Sequence, residues 1–599
     1  MNIASRSPRE EYTRRLVVAR EVEAVQDRRD AAIANGRLVL VLLAIPLAWA
    51  SVVAGWLSAW WLLIPAGGFL GLIRLHERAG RARDRAKKAI AVYERGLARV
   101  DDRWIGLGGD GSRFLDPTHP YSADLDLFGK GSLFQRLSTA RTRKGEAVLA
   151  SWLLAPADRA TIALRQEAIA ELRERLDLRE DLARLGEGLG DVVDVEGLAA
   201  WCAERVPIPL GQARSAAAIL AIGATVAVVG WLFFNFDGRA VLAVFVAEAA
   251  FALWLMKRCN RILERVSRRA DELAMLAATL DRIEQESFAS ALLTRLRFAL
   301  MADGQTASSR ISALHRTVDR LEWRRNMFFA PSSLLWLWGT HVALAVEGWR
   351  RRWGRDVAGW VSAMAEFEAI SSIAAYSFEN PDDPFAEIAD PAGTILEATA
   401  LGHPLLPDSS CVRNDLRLGG EPCVLIVSGS NMSGKSTLLR SVGVNVVLGL
   451  AGAPVKAERL RISPVAIGAT LRIQDSLQEG KSRFYAEILR LRQVVDLTGG
   501  PLPLMFLLDE ILHGTNSHDR LEGASAIVRG LIDRGAIGLV TTHDLALAEV
   551  GETLTPRAAN VHFEDHFEDG VMRFDYTMRP GVVKKSNALA LMRAVGLDV

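Results

Sequence analysis

The sequence predicts an α/β domain built on parallel strands at the C-terminal end. A mainly α-helical region carrying two apolar helical hairpins precedes it. Three observations predict this. The apolar run Cys423–Val427 is followed by a glycine-containing loop and then by helical spacing from Thr437 to Leu450, a strand–loop–helix unit. Two later apolar runs, Leu504–Leu508 and Ala536–Thr541, end in polar residues, as buried parallel strands do. Upstream, charge is absent from Leu38 to Ile73 and again from Ser215 to Phe236.

The chain has 599 residues and a formal net charge of +1. That length allows about four domains at roughly 150 residues each. The near-zero charge gives no global field to select nucleic acid, so any basic face is local. Cys202, Cys259, Cys411 and Cys423 lack metal-type spacing and are expected to be reduced, buried thiols.

Taken in order, residues 1–88 form an N-terminal segment with a first membrane hairpin at about 38–73. Residues 1–37 are polar and helical. The uncharged run of 36 residues is too long for one straight span and just enough for two short ones. Gly55 lies at its midpoint, with Trp56, Trp60 and Trp61 as interfacial anchors. Residues 74–88 are basic, so both ends are expected in the cytoplasm. Residues 89–214 return to soluble helical patterning. Residues 215–256 form a second hairpin, turning at Asn235–Arg239, with Glu248 as the one acid in its returning arm. Glu248 is expected to pack the hairpins, with an intramembrane function as the sharper alternative. Residues 257–380 read as lever and core helices, with Met327–Val346 as a buried core helix. Residues 381–407, rich in Pro, Asp and Ala, read as a linker into the domain at 408–599.

The loop in that domain carries Gly429-x4-Gly434-Lys435-Ser436, the P-loop pattern. Glycines let backbone N–H groups turn inward around phosphate oxygens, and the helix N-terminus adds its positive end. Lys435 is the expected cation for the β- and γ-phosphates of ATP, and Ser436 the hydroxyl ligand of Mg²⁺. Leu504–Glu510 ends in two acids: Asp509 fits a Mg²⁺-holding acid, and Glu510 fits the residue that activates the attacking water. A Glu directly after that Asp points to the ABC-like ATPases, which hydrolyse at a dimer interface. His543, at the end of the third strand, is a candidate γ-phosphate contact. The mean hydropathy of +0.14 is high for a soluble ATPase, and the excess sits in the two hairpins.

Gly429-Ser-Asn431-Met432-Ser433-Gly434-Lys435-Ser436-Thr437 resembles the P-loop of the MutS family, whose Asn-Met pair is unusual. Asp509-Glu-Ile-Leu-His-Gly-Thr-Asn-Ser-His-Asp519 resembles that family's segment after the acidic strand. Gly480–Glu487 resembles its loop carrying a serine that reaches the γ-phosphate bound by the other subunit, the position of Ser482. Arg579–Ala590 resembles its terminal helix region. Leu125–Phe134 through Trp152–Pro156, Val357–Glu379 and Gly402–Leu406 resemble the borders of its core domain. The resemblance covers roughly residues 115–200 and 355–599. It implies ATP and Mg²⁺ held by Gly429, Asn431, Met432, Ser433, Gly434, Lys435, Ser436 and Thr437, with Ser436 and Asp509 on the metal. It implies hydrolysis by Glu510, Lys435, His543 and Ser482 in a homodimer.

Departures from the family are equally informative. The family's mismatch-reading domain has no room here, and Phe385-Ala-Glu387 is a coincidental match to its Phe-x-Glu wedge. The first hairpin stands in that domain's place, and the second interrupts the lever region where the family carries its DNA clamp. Cys411 stands where the family places an aromatic near adenine. The expectation is a four-span, membrane-anchored ATPase coupled to mismatched or structured DNA. The alternative is an ATP-driven membrane mechanotransducer without DNA. A transporter of the ABC type fits less well, with four short spans and one intramembrane acid.

Overall fold

A computed structural model describes residues 7–187, 193–204, 207–302, 304–321, 333, 336–389, 393–430, 432–472, 483–512, 516–543, 545–568 and 571–583. The chain divides into two compact units.

The first unit, residues 1–104 with 176–190, is an antiparallel helix pair. Helix α1 (Pro8–Ala48) starts at a capping box in which Ser7 and Glu10 satisfy each other's backbone N–H. A π-helical turn, Trp49–Val53, follows Pro46. A 3-10 turn, Ala59–Leu62, leads into α2 (Leu63–Val100). Gly55 takes φ +67° in the tip between them. An Asp30–His76 contact and an Asp27–Arg83 ion pair, both at 2.6 Å, lace the two helices below their apolar ends. Helix α6 (Leu176–Leu185) belongs to the same unit. Glu180 accepts from Tyr93 and from Arg15, the latter at 3.0 Å.

The second unit holds the rest. Helices α3 (Leu133–Leu137), α4 (Arg143–Leu154), α5 (Arg159–Arg173) and α7 (Val195–Ala203) lead to a second antiparallel pair, α8 (Leu210–Phe233) and α9 (Gly238–Ser267). Asp237 caps α9 through the N–H of Arg239 at 2.9 Å. Glu248 is 3% exposed, on the α9 face that also carries Leu255, Cys259, Ile262 and Val266. Among the described residues four helical stretches, two in each unit, are long and apolar enough to cross a membrane, by length and composition.

Within the span expected to hold lever and core helices, the chain forms three short helices, α10 (Ala270–Glu284), α11 (Ala291–Ala299) and α12 (Ala307–Asp319), with a small antiparallel ribbon of β1 (Met301–Ala302) and β2 (Gln305–Thr306). The chain folds back because two amphipathic faces bury each other. Leu273, Leu276, Leu280 and Ile283 are buried on one helix, and Ile311, Leu314 and Val318 on the other. Glu284 ties the two by accepting from the Ser308 N–H at 2.9 Å. Of the expected core helix at 327–346, residues 327–332, 334 and 335 lie outside the described residues, and the described part belongs to α13 (Trp338–Trp353). It extends to Trp353 because Glu347 pairs with Arg350 at 3.2 Å and with Arg351 at 3.1 Å. Helix α14 (Val357–Glu379) crosses the core.

The expected linker at 381–407 is a correction. It supplies β3 (Glu387–Ile388) and β4 (Leu396–Leu401) to a four-stranded sheet ordered β3-β7-β4-β5, with β5 (Asn414–Leu418) and β7 (Arg459–Ile462). Leu396 and Ala398 alternate inward and Leu401 is buried after a register shift, a pattern that the bulge and the flanking prolines mask in the sequence. Glu387 of the Phe-x-Glu string pairs with Arg459 at 2.8 Å within that sheet. A six-stranded sheet is ordered β12-β11-β6-β10-β9-β8. Its members are β6 (Val424–Ser428), β8 (Ala466–Thr470), β9 (Leu504–Asp509), β10 (Ile537–Thr542), β11 (Ala558–Glu568) and β12 (Val571–Pro580). All neighbours are parallel except β11 and β12. Helices α15 (Lys435–Ala451), α16 (Arg483–Asp496), α17 (Ser517–Asp533) and α18 (Leu545–Thr553) complete the domain. Ile426, Phe506, Leu508, Val528 and Val540 form its core. Cys202 and Cys259 are buried thiols, whereas Cys411 and Cys423 are half-exposed.

Candidate functional site

Strand register brings the candidate residues to one edge. Thr541 of β10 pairs with Asp509 of β9, and Thr542 with Ser428 of β6. The loop after β6, the acids ending β9 and His543 after β10 therefore share the carboxyl ends of three adjacent parallel strands, the usual ligand edge of such a sheet.

The loop is shaped for an anion. Gly429 and Gly434 take φ +150° and +107°, and Met432 takes +72°. A Cβ at Gly429 would stand 2.8 Å from Ser433 Oγ, so the cradle admits only glycine there. The Ser430 and Ser433 hydroxyl oxygens are buried with no hydrogen-bond partner. Unsatisfied buried donors around a concave loop at a helix N-terminus fit phosphate oxygens. Lys435 is 4% exposed. Its Nζ donates to the carbonyls of Gly429 and Ser430, both at 2.9 Å, and lies 3.3 Å from Glu510 Oε1. The loop thus folds back onto its own lysine, which fixes the ammonium inside the cradle.

The acidic strand ends under strain. Glu510 and Leu512 take φ +45° and +60°, conformations that L side chains rarely hold without support. The support is local. Thr541 Oγ1 donates to Asp509 Oδ1 and accepts from the Glu510 N–H at 3.0 Å. Glu487 Oε1 accepts from the Leu512 N–H. His543 Nδ1 lies 3.5 Å from Glu510 Oε1. Glu510 thus faces both Lys435 and His543.

These residues open onto a cavity of about 650 Å³, lined by Met432, Gly434, Lys435, Ser436, Thr437, Asp509 and Glu510 on one side. His403, Cys411, Asn414 and Tyr576 line the other. Ser436 and Asp509 are the candidate Mg²⁺ ligands within it. Among the described residues no group of three or more His, Cys, Asp or Glu is placed to hold a metal. A cation leaning on one carboxylate, one hydroxyl and phosphate oxygens suits Mg²⁺, which keeps several water ligands. His403 is buried, and burial, reinforced by Arg440, lowers its imidazole to about 4, so it lines the cavity as a neutral ring. Asn431 and Ser482 lie outside the described residues.

Tyr576 was not among the sequence candidates. It comes from β12, far along the chain, and its ring atom Cδ1 lies 3.0 Å from where a Cβ on Gly434 would stand. Its backbone holds φ +55°. Asn414 spans the backbone that carries it, donating to the Tyr576 carbonyl at 3.1 Å and accepting from the Met578 N–H at 2.7 Å. Cys411 stands where the family places an aromatic, and the aromatic ring that lines the cavity with it comes instead from β12, held by Asn414 three residues after Cys411. The sequence signal is the alternation Phe574-Asp-Tyr576, whose two rings stack at 6.0 Å.

The fold and this edge define a C-terminal nucleotide-site domain behind a helical region. The family model for MutS domain V matches residues 425–598, and that for MutS domain III matches residues 121–322. The chain belongs to the MutS family, and its C-terminal part is that family's ATPase domain. Similar curated proteins include the endonuclease MutS2 of Thermus thermophilus, 33% identical over 203 residues, which are 33% of this chain and 25% of the relative. The DNA mismatch repair protein MSH6 of Arabidopsis thaliana is 32% identical over 216 residues, 34% of this chain and 16% of the relative. The DNA mismatch repair protein MutS of Natronomonas pharaonis is 31% identical over 241 residues, 39% and 27% respectively. The chain thus spans about a quarter or less of the length of these relatives.

Proposed function

We propose that this protein is a membrane-anchored MutS-family ATPase. It binds ATP with Mg²⁺ at the cavity above, hydrolyses it in a site completed by a second copy, and couples turnover to binding of mismatched or structured DNA. The observation that carries the ATPase reading is the Lys435 ammonium, buried in the loop and facing Glu510 beside Asp509. Bound Mg²⁺ would neutralise charge developing on the phosphates. Lys435 binds and orients the phosphates, Glu510 holds the proton-accepting position toward water, and His543 sets the orientation of Glu510. The parallel sheet and its order support the ABC-like form of the P-loop fold. Relationship to proteins named for mismatch repair supports the DNA role.

Four apolar helices in two hairpins support the membrane anchor. Basic flanks at 74–88 and 257–269 support a multi-pass arrangement in the cytoplasmic membrane with the N-terminus and ATPase domain in the cytoplasm. The hairpins also favour a second reading, in which ATP-driven dimerisation moves the hairpins and no DNA is involved. Detergent-solubilised protein distinguishes the two. Under the first reading, Mg²⁺-dependent ATP hydrolysis accompanies salt-dependent binding that prefers mismatched or branched DNA to homoduplex. Intact hydrolysis with no DNA binding at low salt overturns the DNA role and leaves the second.

A further inference from the structure

We infer that the two hairpins are fitted to a bilayer whose hydrocarbon core is thinner than usual, so that their partner is a membrane of short acyl chains. This rests on the membrane reading above. The arms are short. In the first hairpin, Leu38–Val53 reaches at most about 24 Å at the ~1.5 Å α-helical rise, its last turn being π-helical. Its return from Ala59 to Ile73, one 3-10 turn and then α-helix, reaches about the same. In the second, Ser215–Phe233 reaches about 28 Å and Ala240–Met256 about 26 Å. An ordinary hydrocarbon core is about 30 Å thick.

The charged feet do not let the first hairpin slide deeper. The Arg37 guanidinium lies over the Phe69 ring, 5.3 Å from its centroid, which holds the charge at the base of the apolar arms. The Asp30–His76 and Asp27–Arg83 pairs follow directly below. In the second hairpin Arg214 donates to the Leu344 carbonyl at 3.0 Å, and Arg258 lies over Trp254 at 5.5 Å.

The tips are held at the other end. Trp56, Trp60 and Trp61 are exposed at the first tip, and Trp231, Phe234 and Phe236 at the second. Such rings settle at the headgroup level. Between Val53 and Ala59 the chain is non-helical, and irregular backbone facing hydrocarbon is far costlier than a modest mismatch. With the feet held and the tips drawn to the far interface, the bilayer, not the protein, gives way.

The test offers the solubilised protein a choice of vesicles in one flotation experiment: dimyristoleoyl, dioleoyl and dierucoyl phosphatidylcholine. Incorporation is expected to favour the myristoleoyl vesicles over the erucoyl ones by about tenfold. A variant with four leucines added after Leu43 and four after Leu70 should move the preference toward the longer chains. Equal incorporation, or a preference for erucoyl vesicles, overturns the thickness inference while leaving the membrane reading standing. Recovery without detergent in the soluble fraction, bound to no vesicle, overturns both.

Discussion

Lys435 Nζ stands 3.3 Å from Glu510 Oε1, and His543 Nδ1 stands 3.5 Å from the same oxygen. One carboxylate oxygen therefore answers two candidate cations. A phosphate in the loop would compete with Glu510 for the lysine and free the carboxylate to face water. Lys435→Ala is expected to abolish measurable ATP binding. Glu510→Gln is expected to bind ATP with little loss, because the carboxamide still accepts from Lys435, and to hydrolyse it about 10²-fold or more slowly. Nucleotide binding by fluorescence and phosphate release separate the two; equal loss of binding in both variants would refute the division of roles.

Tyr576 and Asn414 give a second prediction. If the ring is the face on which a base rests, Tyr576→Ala should raise the Kd for ATP by the equivalent of about 1–3 kcal/mol, the usual worth of stacking a base on an aromatic side chain. Tyr576→Phe should stay near the parent. Asn414→Ala should act in the same direction and more weakly, since the ring survives but its strand is released. Calorimetric titration of the three variants checks the order, and a Phe variant as weak as the Ala variant would point to the hydroxyl instead.

Ser482 gives a prediction drawn from the sequence alone, since it lies outside the described residues. Ser482→Ala should spare ATP affinity and weaken ATP-driven dimerisation and hydrolysis, a loss of about 1.5–3 kcal/mol for one hydrogen bond to a charged group. Chains carrying Lys435→Ala mixed with chains carrying Ser482→Ala should regain part of the ATPase activity, because one site of the heterodimer carries neither lesion. A mixture no more active than its parts, with heterodimers present, removes the shared-site proposal.

A pH dependence follows from Asp383, which is 7% exposed. Burial raises its carboxyl to about 6, against the opposing pull of Lys456 and Arg413 and with Asp408 reinforcing the rise. One of its oxygens has no hydrogen-bond partner. Folded protein therefore keeps a proton that unfolded chain releases, and stability falls as pH rises from about 4 to about 6. Asp383→Asn, which cannot ionise, should gain on the parent across that window and keep a constant advantage above it, on the order of 3 kcal/mol. Denaturant midpoints measured from pH 4 to 8 would show it; parallel curves for the two proteins would contradict it.

How much of this was legible follows from where the signals lie. Lys435, Ser436, Asp509 and Glu510 sit in short, contiguous motifs, so the chemistry of one strand end is written in adjacent letters. Tyr576 is not, because its place depends on β11 and β12 pairing beside β6, a long-range arrangement that no local window carries. The two helix pairs were legible because uninterrupted apolarity is itself the signal. The folded-back helices α10 to α12 were not. Helical spacing tells that Leu276 and Leu314 need burial, not that they bury each other. Residues 381–407 misled for the opposite reason: Pro and Asp mark the turns that bound strands as well as linkers.

Gly443 lies in the middle of α15, and a Cβ there would come within 2.5 Å of Leu125 and 2.8 Å of Leu507. Asp124, next to that leucine, accepts from the Leu471 and Arg472 N–H groups at 2.7 and 2.9 Å. The helix that begins at the phosphate loop is thus wedged between its own sheet and a segment some three hundred residues earlier. An ATPase domain excised at residue 408 would leave that socket empty, expose the apolar flank of α15 and lose strands β3 and β4. Such a fragment is expected to be insoluble on its own and to be recovered by co-expression with residues 105–407.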